Sequence, residues 1–256
     1  MHRLAFFAIK RFARTVVAAS ALGAAGLSAA AADTEHEMRL TEAAAVLAKF
    51  TADDENAIPA ELLGRAHGIA VIPNVIRGGF VLGGRRGRGV LVVKSASGGW
   101  SNPALITLTG GSIGWQFGAE STDLVLVFAN ERSVRNIDDG KFTLGGDATA
   151  VAGPLGRNTT AALTGRAEVY AYVRSRGLFA GAAFEGARLD VDEQGNERFY
   201  GAEGHALGPQ NEATPRTARR FLMTVEQAAH VPAPRRDAER ASEPEEAQIF
   251  PLGGAR

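Results

Sequence analysis

The stretch GGFVLGGRRGRGVLVV, from Gly78 to Val93, decides how this chain folds. Glycines and arginines alternate in small groups there, between two apolar runs. Glycine between β-type runs predicts a tight antiparallel hairpin, because glycine adopts positive φ and lets another backbone come close. Two interpretations stay open. The arginines are solvated turn residues, or Arg77, Arg85, Arg86 and Arg88 form an anion site with the glycine-rich backbone.

Two nucleotide-binding motifs fail at the same stretch. Gly79 and Gly84 have the glycine spacing of a Walker A loop, but Arg85 and Arg86 follow where lysine and Ser/Thr are required. A dinucleotide fingerprint needs a third glycine and a helix, whereas the chain continues as the β-type run VLVVK. A hairpin therefore remains the prediction for this stretch, and both interpretations of its arginines stay open.

Working outward, short β-type runs separated by Gly, Pro, Asn or Ser continue from Ile69 to Asp192. Such spacing predicts a mostly antiparallel sheet. Several runs are apolar on both faces, so helices must cover the sheet. The pattern predicts helices at residues 33–50, 58–68, 130–140 and 214–229. The expected fold class is α+β: a Gly-rich, mostly antiparallel sheet or barrel-like core, covered by N-terminal helices and a late helix.

The first 32 residues are typical of a secretory signal peptide. A basic start, MHRLAFFAIKRFAR, precedes a small apolar run that ends in an A-x-A-like site before Asp33. No later run reaches the ~18 apolar residues that span a bilayer. We expect an exported chain, periplasmic or secreted, with a signal peptide at 1–32, a single domain at 33–229 and a disordered, charged, Pro-rich tail at 230–256.

Charge and cysteine content exclude several classes of function. The full chain has 28 basic and 28 acidic residues, and removal of Arg3, Lys10, Arg11 and Arg14 with the signal peptide leaves a net charge near −4. Bulk attraction to nucleic acid is not expected, so any anion binding must come from a local patch. The chain has no cysteine. Thiol catalysis, Cys-ligated zinc and a lipoprotein cysteine anchor are excluded.

Catalytic and metal motifs are weak. GGSIG at Gly110–Gly114 matches a G-x-S-x-G nucleophile elbow with Ser112, which would need Asp123 or Asp147 and then His205. The elbow must open a helix, yet GWQFG continues as a glycine-broken β-type run, so we interpret this stretch as a connection between strands. No histidine pair has metal-ligand spacing. We expect no catalytic residue, no cofactor and no metal site.

Four blocks of sequence, taken in order, closely resemble the SYLF-domain family. The resemblance extends from about Met38 to Gly201, and the succession of the blocks is more specific than any one block. The blocks are GGFVLGGRRGRGVLVVK, GGWSNPALITLTGGSIGWQFGAESTDLVLVF, KFTLGGDATAVAGPLGRN and EVYAYVRSRGLFAGAAFEGARL.

The resemblance implies a function in lipid binding. Eukaryotic members are associated with phosphoinositides and membranes, some with actin, and bacterial members are exported or lipid-anchored proteins described as lipid-binding. The resemblance implies no enzyme activity. We expect a non-catalytic envelope module that binds anionic phospholipid or a membrane surface through Arg77, Arg85, Arg86 and Arg88. Actin and nucleic acid are not expected as partners of an exported chain. The alternatives are a structural or protein-interaction domain of the envelope, and a hydrolase using Ser112.

The export hypothesis predicts cleavage near Ala32. N-terminal sequencing of the protein recovered from the periplasm or medium should begin at or close to Asp33, because the small residues before it fit signal peptidase. A recovered protein that still begins at Met1 would contradict export by cleavage.

Overall fold

The computed structural model describes most of the domain predicted from the sequence. The ranges described are 34–52, 57–79, 82–95, 97–113, 120–138, 142–144, 150–153, 168–175, 186–201 and 205–230. The segments assigned above to the signal peptide and to the tail from residue 231 onward lie outside them.

The described part of the chain forms one sheet of eight strands, in the order β5-β8-β3-β2-β1-β4-β7-β6. Every neighbouring pair is antiparallel except β6 and β7. This confirms the predicted α+β class with a mostly antiparallel sheet. The strands are β1 (Gly68–Gly79), β2 (Leu82–Val93), β3 (Ala104–Ile113), β4 (Glu120–Phe128), β5 (Phe142–Thr143), β6 (Ala150–Ala152), β7 (Val169–Ser175) and β8 (Arg188–Val191).

Within the described ranges, five helices pack around the sheet. Four of them were predicted from the sequence, and Asn130 caps the third as expected by accepting a 2.8 Å hydrogen bond from the Ser133 backbone N–H. The helices are α1 (34–52), α2 (Ala60–Arg65), α3 (Glu131–Asp138), α4 (Glu193–Tyr200) and α5 (Arg216–Ala229).

Helix α4 was missed because Gly195 and Asn196 have low helix propensity and hide its pattern. Tertiary contacts stabilise it instead. The Asn196 side chain accepts a hydrogen bond from the Leu105 N–H at 2.7 Å and donates one to the Leu105 carbonyl at 3.0 Å. Asp192 caps the helix by accepting from the Gly195 N–H at 3.0 Å.

The sheet is buried on both faces. Along β1, Ile69 and Val71 face the core beneath α1, α2 and α5, whereas Ala70 and Ile72 face a second core beneath α3. Residues alternate sides along a strand, so a strand covered on both faces is apolar throughout. This explains why the central runs show no polar alternation.

The glycine–arginine stretch is part of a strand and not a turn. The β1–β2 hairpin is as predicted, with Gly68 paired to Val93 and Gly79 to Gly83. However, Arg85, Arg86 and Arg88 all lie within β2 and pair with β3. The arginines therefore project from a sheet at fixed positions, which corrects the expectation of turn residues.

Close approach of β1 explains two of the β2 glycines. The β1–β2 register shifts between Val71 and Ile76, where β1 has one residue more than β2 and forms a bulge. A Cβ on Gly89 would lie 2.4 Å from the Val71 carbonyl oxygen, and one on Gly87 would lie 2.7 Å from Ile72 Cγ2. Both distances are shorter than any normal contact, so only glycine fits against the bulge.

Alanine substitutions along β2 should separate this packing requirement from general glycine effects. Gly89→Ala should lower the free energy of unfolding by about 1–3 kcal/mol, the usual cost of forcing extra atoms into a packed interior. Gly84→Ala is the matched control, because a Cβ there meets nothing within 4 Å. It should be neutral or stabilising by up to about 1 kcal/mol. Urea denaturation measures both, and equal stability of the two variants would contradict the packing argument.

Candidate functional site

The arginines of β2 point to opposite faces of the sheet. Arg86 and Arg88 are exposed on the face that carries Val90 and Val92 into the helix-covered core. Arg85 lies on the other face and is 8% exposed. Its stem crosses Gly110, where an added Cβ would lie 3.3 Å from Arg85 Cγ, and its guanidinium reaches the Gly111 carbonyl at 3.4 Å.

Of the four predicted headgroup residues, the structure therefore brings together Arg86 and Arg88. It places Arg85 away from them. The Arg77 backbone lies in β1 and pairs with Arg85 and Glu120, while its side chain lies outside what the structure describes.

A groove of about 490 Å³ lies between α1 and the β1–β2 hairpin, and we call it the α1–β2 groove. Helix α1 contributes Glu35, Met38, Arg39 and Glu42, whose i, i+3, i+4, i+7 spacing puts them on one face of a helix. The hairpin contributes Pro73, Asn74, Ile76, Arg86, Gly87 and Arg88.

Apolar side chains stand exposed on both walls of this groove. Met38 on α1 is 53% exposed and Ile76 on β1 is 58% exposed. Met38 faces the groove, whereas Leu40 and Leu47 on the same helix face the core.

An ion-pair chain crosses the groove from β2 to α4. Glu35 contacts the Arg88 guanidinium and also lies 3.7 Å from Arg39 Nη2. Arg39 is buried, and its Nη1 donates to Asp192 Oδ2 at 3.1 Å. One carboxylate is thus shared by two arginines.

Arg86 differs from its neighbours. Among the described residues, no carboxylate pairs with its exposed guanidinium. A guanidinium has five N–H donors suited to phosphate or carboxylate oxygens. The groove can therefore bind an anion at Arg86 without breaking an existing ion pair.

Arg39 is the site residue that the sequence analysis missed. It lies in α1, far in sequence from the arginines of β2, and joins them only through Glu35. The one available signal was the i, i+4 relation of Glu35 and Arg39 on a helix, which is common on helix surfaces and does not point to a site.

The candidate serine triad is not assembled. Ser112 lies inside β3 with its backbone paired to Gly83, where an elbow would need a turn. The His205 carbonyl is bonded to the Asn102 side chain at 3.1 Å, next to the other end of β3. The eight residue steps along the strand from Ala104 to Ser112 span about 27 Å. Asp147 lies outside the described residues.

The described residues contain neither a cluster of metal ligands nor a membrane-spanning helix. No three His, Asp or Glu side chains within them come together as metal ligands. Separately, none of the helices in the described ranges has the length and apolar character that crossing a membrane requires.

His36 is a buried titratable group beside the groove. It is 5% exposed, and neither ring nitrogen has a hydrogen-bond partner within the described part of the chain. Its ring meets Phe199 of α4 edge-on at 6.2 Å. Burial lowers the pKa of His36 below 6.5, and Arg39 lowers it further, against weaker opposing effects of Glu35 and Asp192.

Comparison with known proteins gives one family. Residues 109–228 match the model of a family described as Ysc84, Las17-binding protein actin regulator. "LAS seventeen-binding protein 3" of Saccharomyces cerevisiae is 38% identical over 170 residues, covering 62% of this chain and 37% of that protein. "SH3 domain-containing YSC84-like protein 1" is 37% identical over 186 residues in Homo sapiens, covering 70% of this chain and 54% of the relative. The Xenopus laevis protein of the same name is 38% identical over 170 residues, covering 63% and 50%.

The chain therefore spans between about a third and about half of the curated relatives it matches. The family that the sequence resembles is the one that these comparisons find. The family description names a Las17-binding actin regulator, and the yeast relative is named as a LAS seventeen-binding protein.

The buried histidine predicts a pH-dependent stability. The pKa of His36 is lower in the folded chain than in the unfolded chain, so the unfolded state takes up the proton first as the pH falls. This contribution to stability is intact above pH 6.5 and is lost as the pH falls from there through the folded pKa. Urea midpoints of wild type and His36→Leu, measured between neutral pH and about pH 5, should diverge as the wild type loses stability.

The exposed His230→Leu is the matched control for this measurement and should follow the wild type. A pH dependence that is the same in wild type and His36→Leu would contradict the assignment to His36.

Proposed function

We propose, on the premise that this chain carries a domain of the SYLF (Ysc84) family, that it is a non-catalytic module that binds anionic phospholipid through the α1–β2 groove. The family match supports a binding domain. The lipid ligand and its site are our proposal.

The observation that carries the proposal is the combination of groups in one groove. The guanidinium of Arg86 is exposed there, and Arg88 is beside it on the same face of β2. Met38 and Ile76 offer apolar surface next to them. A phospholipid presents phosphate oxygens and acyl chain in the same arrangement, and guanidinium groups form strong charge-assisted hydrogen bonds to phosphate.

The location that we propose is the periplasm or the extracellular medium, on the basis of the N-terminal sequence. In that setting the anionic partner is an envelope phospholipid. The net negative charge expected for the mature chain opposes general attraction to anionic surfaces. Binding must then depend on the local arginines.

A protein partner is the second candidate function. It is favoured by the names of the relatives, which include a LAS seventeen-binding protein and SH3 domain-containing proteins. The chain shares only part of their length. If the segment shared with the relatives binds a protein partner, we expect that binding to require the α1–β2 groove even when the chain does not bind vesicles.

Removal of two charges should test the lipid proposal. Arg86/Arg88→Gln should weaken binding to anionic vesicles by about thirtyfold, because each basic residue near an anionic surface is worth ~1 kcal/mol. Co-sedimentation with phosphatidylglycerol-containing and purely zwitterionic vesicles, at low and high salt, measures this. High salt should weaken wild-type binding, since exposed charges are screened over about 8–10 Å.

Arg216/Arg220→Gln on α5 is the matched control, with the same change in charge at exposed positions outside the groove. It should retain most of the binding. Equal losses in the two double variants would mean that binding follows net charge and not the groove. A wild type that sediments with no vesicle would exclude membrane-surface binding.

A further inference from the structure

We propose that the α1–β2 groove holds one apolar chain as well as an anionic head, and that its ligand is a single-chain amphiphile with a phosphate head. This inference rests on the proposed function and narrows it. The head binds Arg86 and Arg88, and the chain lies between Met38 and Ile76.

The first argument is the placement of the exposed apolar side chains. Within the described residues, the large apolar side chains that are more than half exposed are Met38, Ile76 and Met223. Two of these three line the same groove, one on each wall. Apolar side chains facing each other across an open groove are costly in water and favour an apolar occupant.

The second argument is the shape of the groove. Its volume of about 490 Å³ lies within the ~300–1,000 Å³ of typical small-ligand sites. Pro73 and the backbone of Gly87 complete the apolar lining. With one exposed large apolar side chain on each wall, the space between Met38 and Ile76 suits one alkyl chain.

The third argument concerns charge. Arg39 is bonded to Asp192, so Arg86 and Arg88 are the guanidinium groups left to meet a head. Arg88 is already paired with Glu35. A bound phosphate competes with Glu35 for Arg88, and Glu35 keeps Arg39 as its remaining partner. Glu35 is thus an internal counter-ion that limits affinity for an anionic head.

The experiment uses n-alkyl phosphates of increasing chain length, kept monomeric, with inorganic phosphate and a neutral alkyl glucoside as the head-only and chain-only probes. Isothermal titration calorimetry on the full chain measures each affinity. Affinity should rise about three- to fourfold for each added methylene until the groove is filled, the increment expected for one buried methylene. Inorganic phosphate and the alkyl glucoside should both bind far more weakly than the alkyl phosphates.

Variants separate the two parts of the site. Met38→Gln and Ile76→Thr should reduce the gain per methylene, whereas Arg86→Gln should weaken all alkyl phosphates by a common factor. Glu35→Gln should strengthen binding by up to about fivefold, because it removes the competing carboxylate. Met223→Gln is the matched control: Met223 is 54% exposed, as Met38 is 53%, but it lies on α5 away from the groove. It should bind as wild type.

Affinity that does not depend on chain length, or a gain per methylene that survives both Met38→Gln and Ile76→Thr, would overturn this inference. If Arg86-dependent vesicle binding persists in that case, the proposed function stands and only the chain site fails. Conversely, chain-length-dependent binding of alkyl phosphates without any vesicle binding would support the chain site and overturn membrane-surface binding.

Discussion

The close packing of the β1 bulge on the glycines of β2 is the constraint on which the rest of the structure depends. Val71 and Ile72 lie where any side chain on Gly89 would have to be. The bulge is held by Asn74, whose φ of 48° places it in the left-handed region and whose N–H donates to the Asp123 carboxylate at 3.0 Å. Because β1 and β2 are the central pair of the sheet, this contact fixes the register of the hairpin. It thereby sets which side chains of β2 face α1.

The groove is a consequence of that register. Odd-numbered positions of the glycine–arginine stretch turn Arg85, Gly87 and Gly89 to one face, and even-numbered positions turn Arg86 and Arg88 to the other. Beyond the last helix-covered positions, Val90 and Val92, β2 continues past the core as a charged strand beside the first turns of α1. The segment of β2 that carries Arg86 and Arg88 is thus continuous with the packed core. A strand therefore holds these two arginines in place, which a mobile loop would not do.

The polar groups beneath the groove link it to α4. Arg39 is buried and satisfied by Asp192, which at the same time caps α4. His36 lies three residues before Arg39 on α1, and its ring nitrogens are buried without a hydrogen-bond partner within the described part of the chain. Buried charge and unsatisfied polar groups cost stability. Glu35, Arg39 and Asp192 thus connect the groove to the N-terminus of α4.

Much of the architecture follows from the sequence alone. Short apolar runs between glycines predict an antiparallel sheet, and continuous apolarity predicts cover on both faces. Helical spacing and capping signals predict four of the helices that the structure describes, because periodicity and capping are local properties. Helix α4 could not be predicted, since its stability comes from Asn196 bonding to β3 and not from propensity. The sequence predicted only part of the site. It identified four clustered arginines, but which face of the sheet each one occupies depends on the register that the bulge sets. The place of Arg39 in the groove and the exposure of Met38 opposite Ile76 depend on the tertiary structure. Only the packing of α1 against the hairpin brings residues so distant in sequence into one groove.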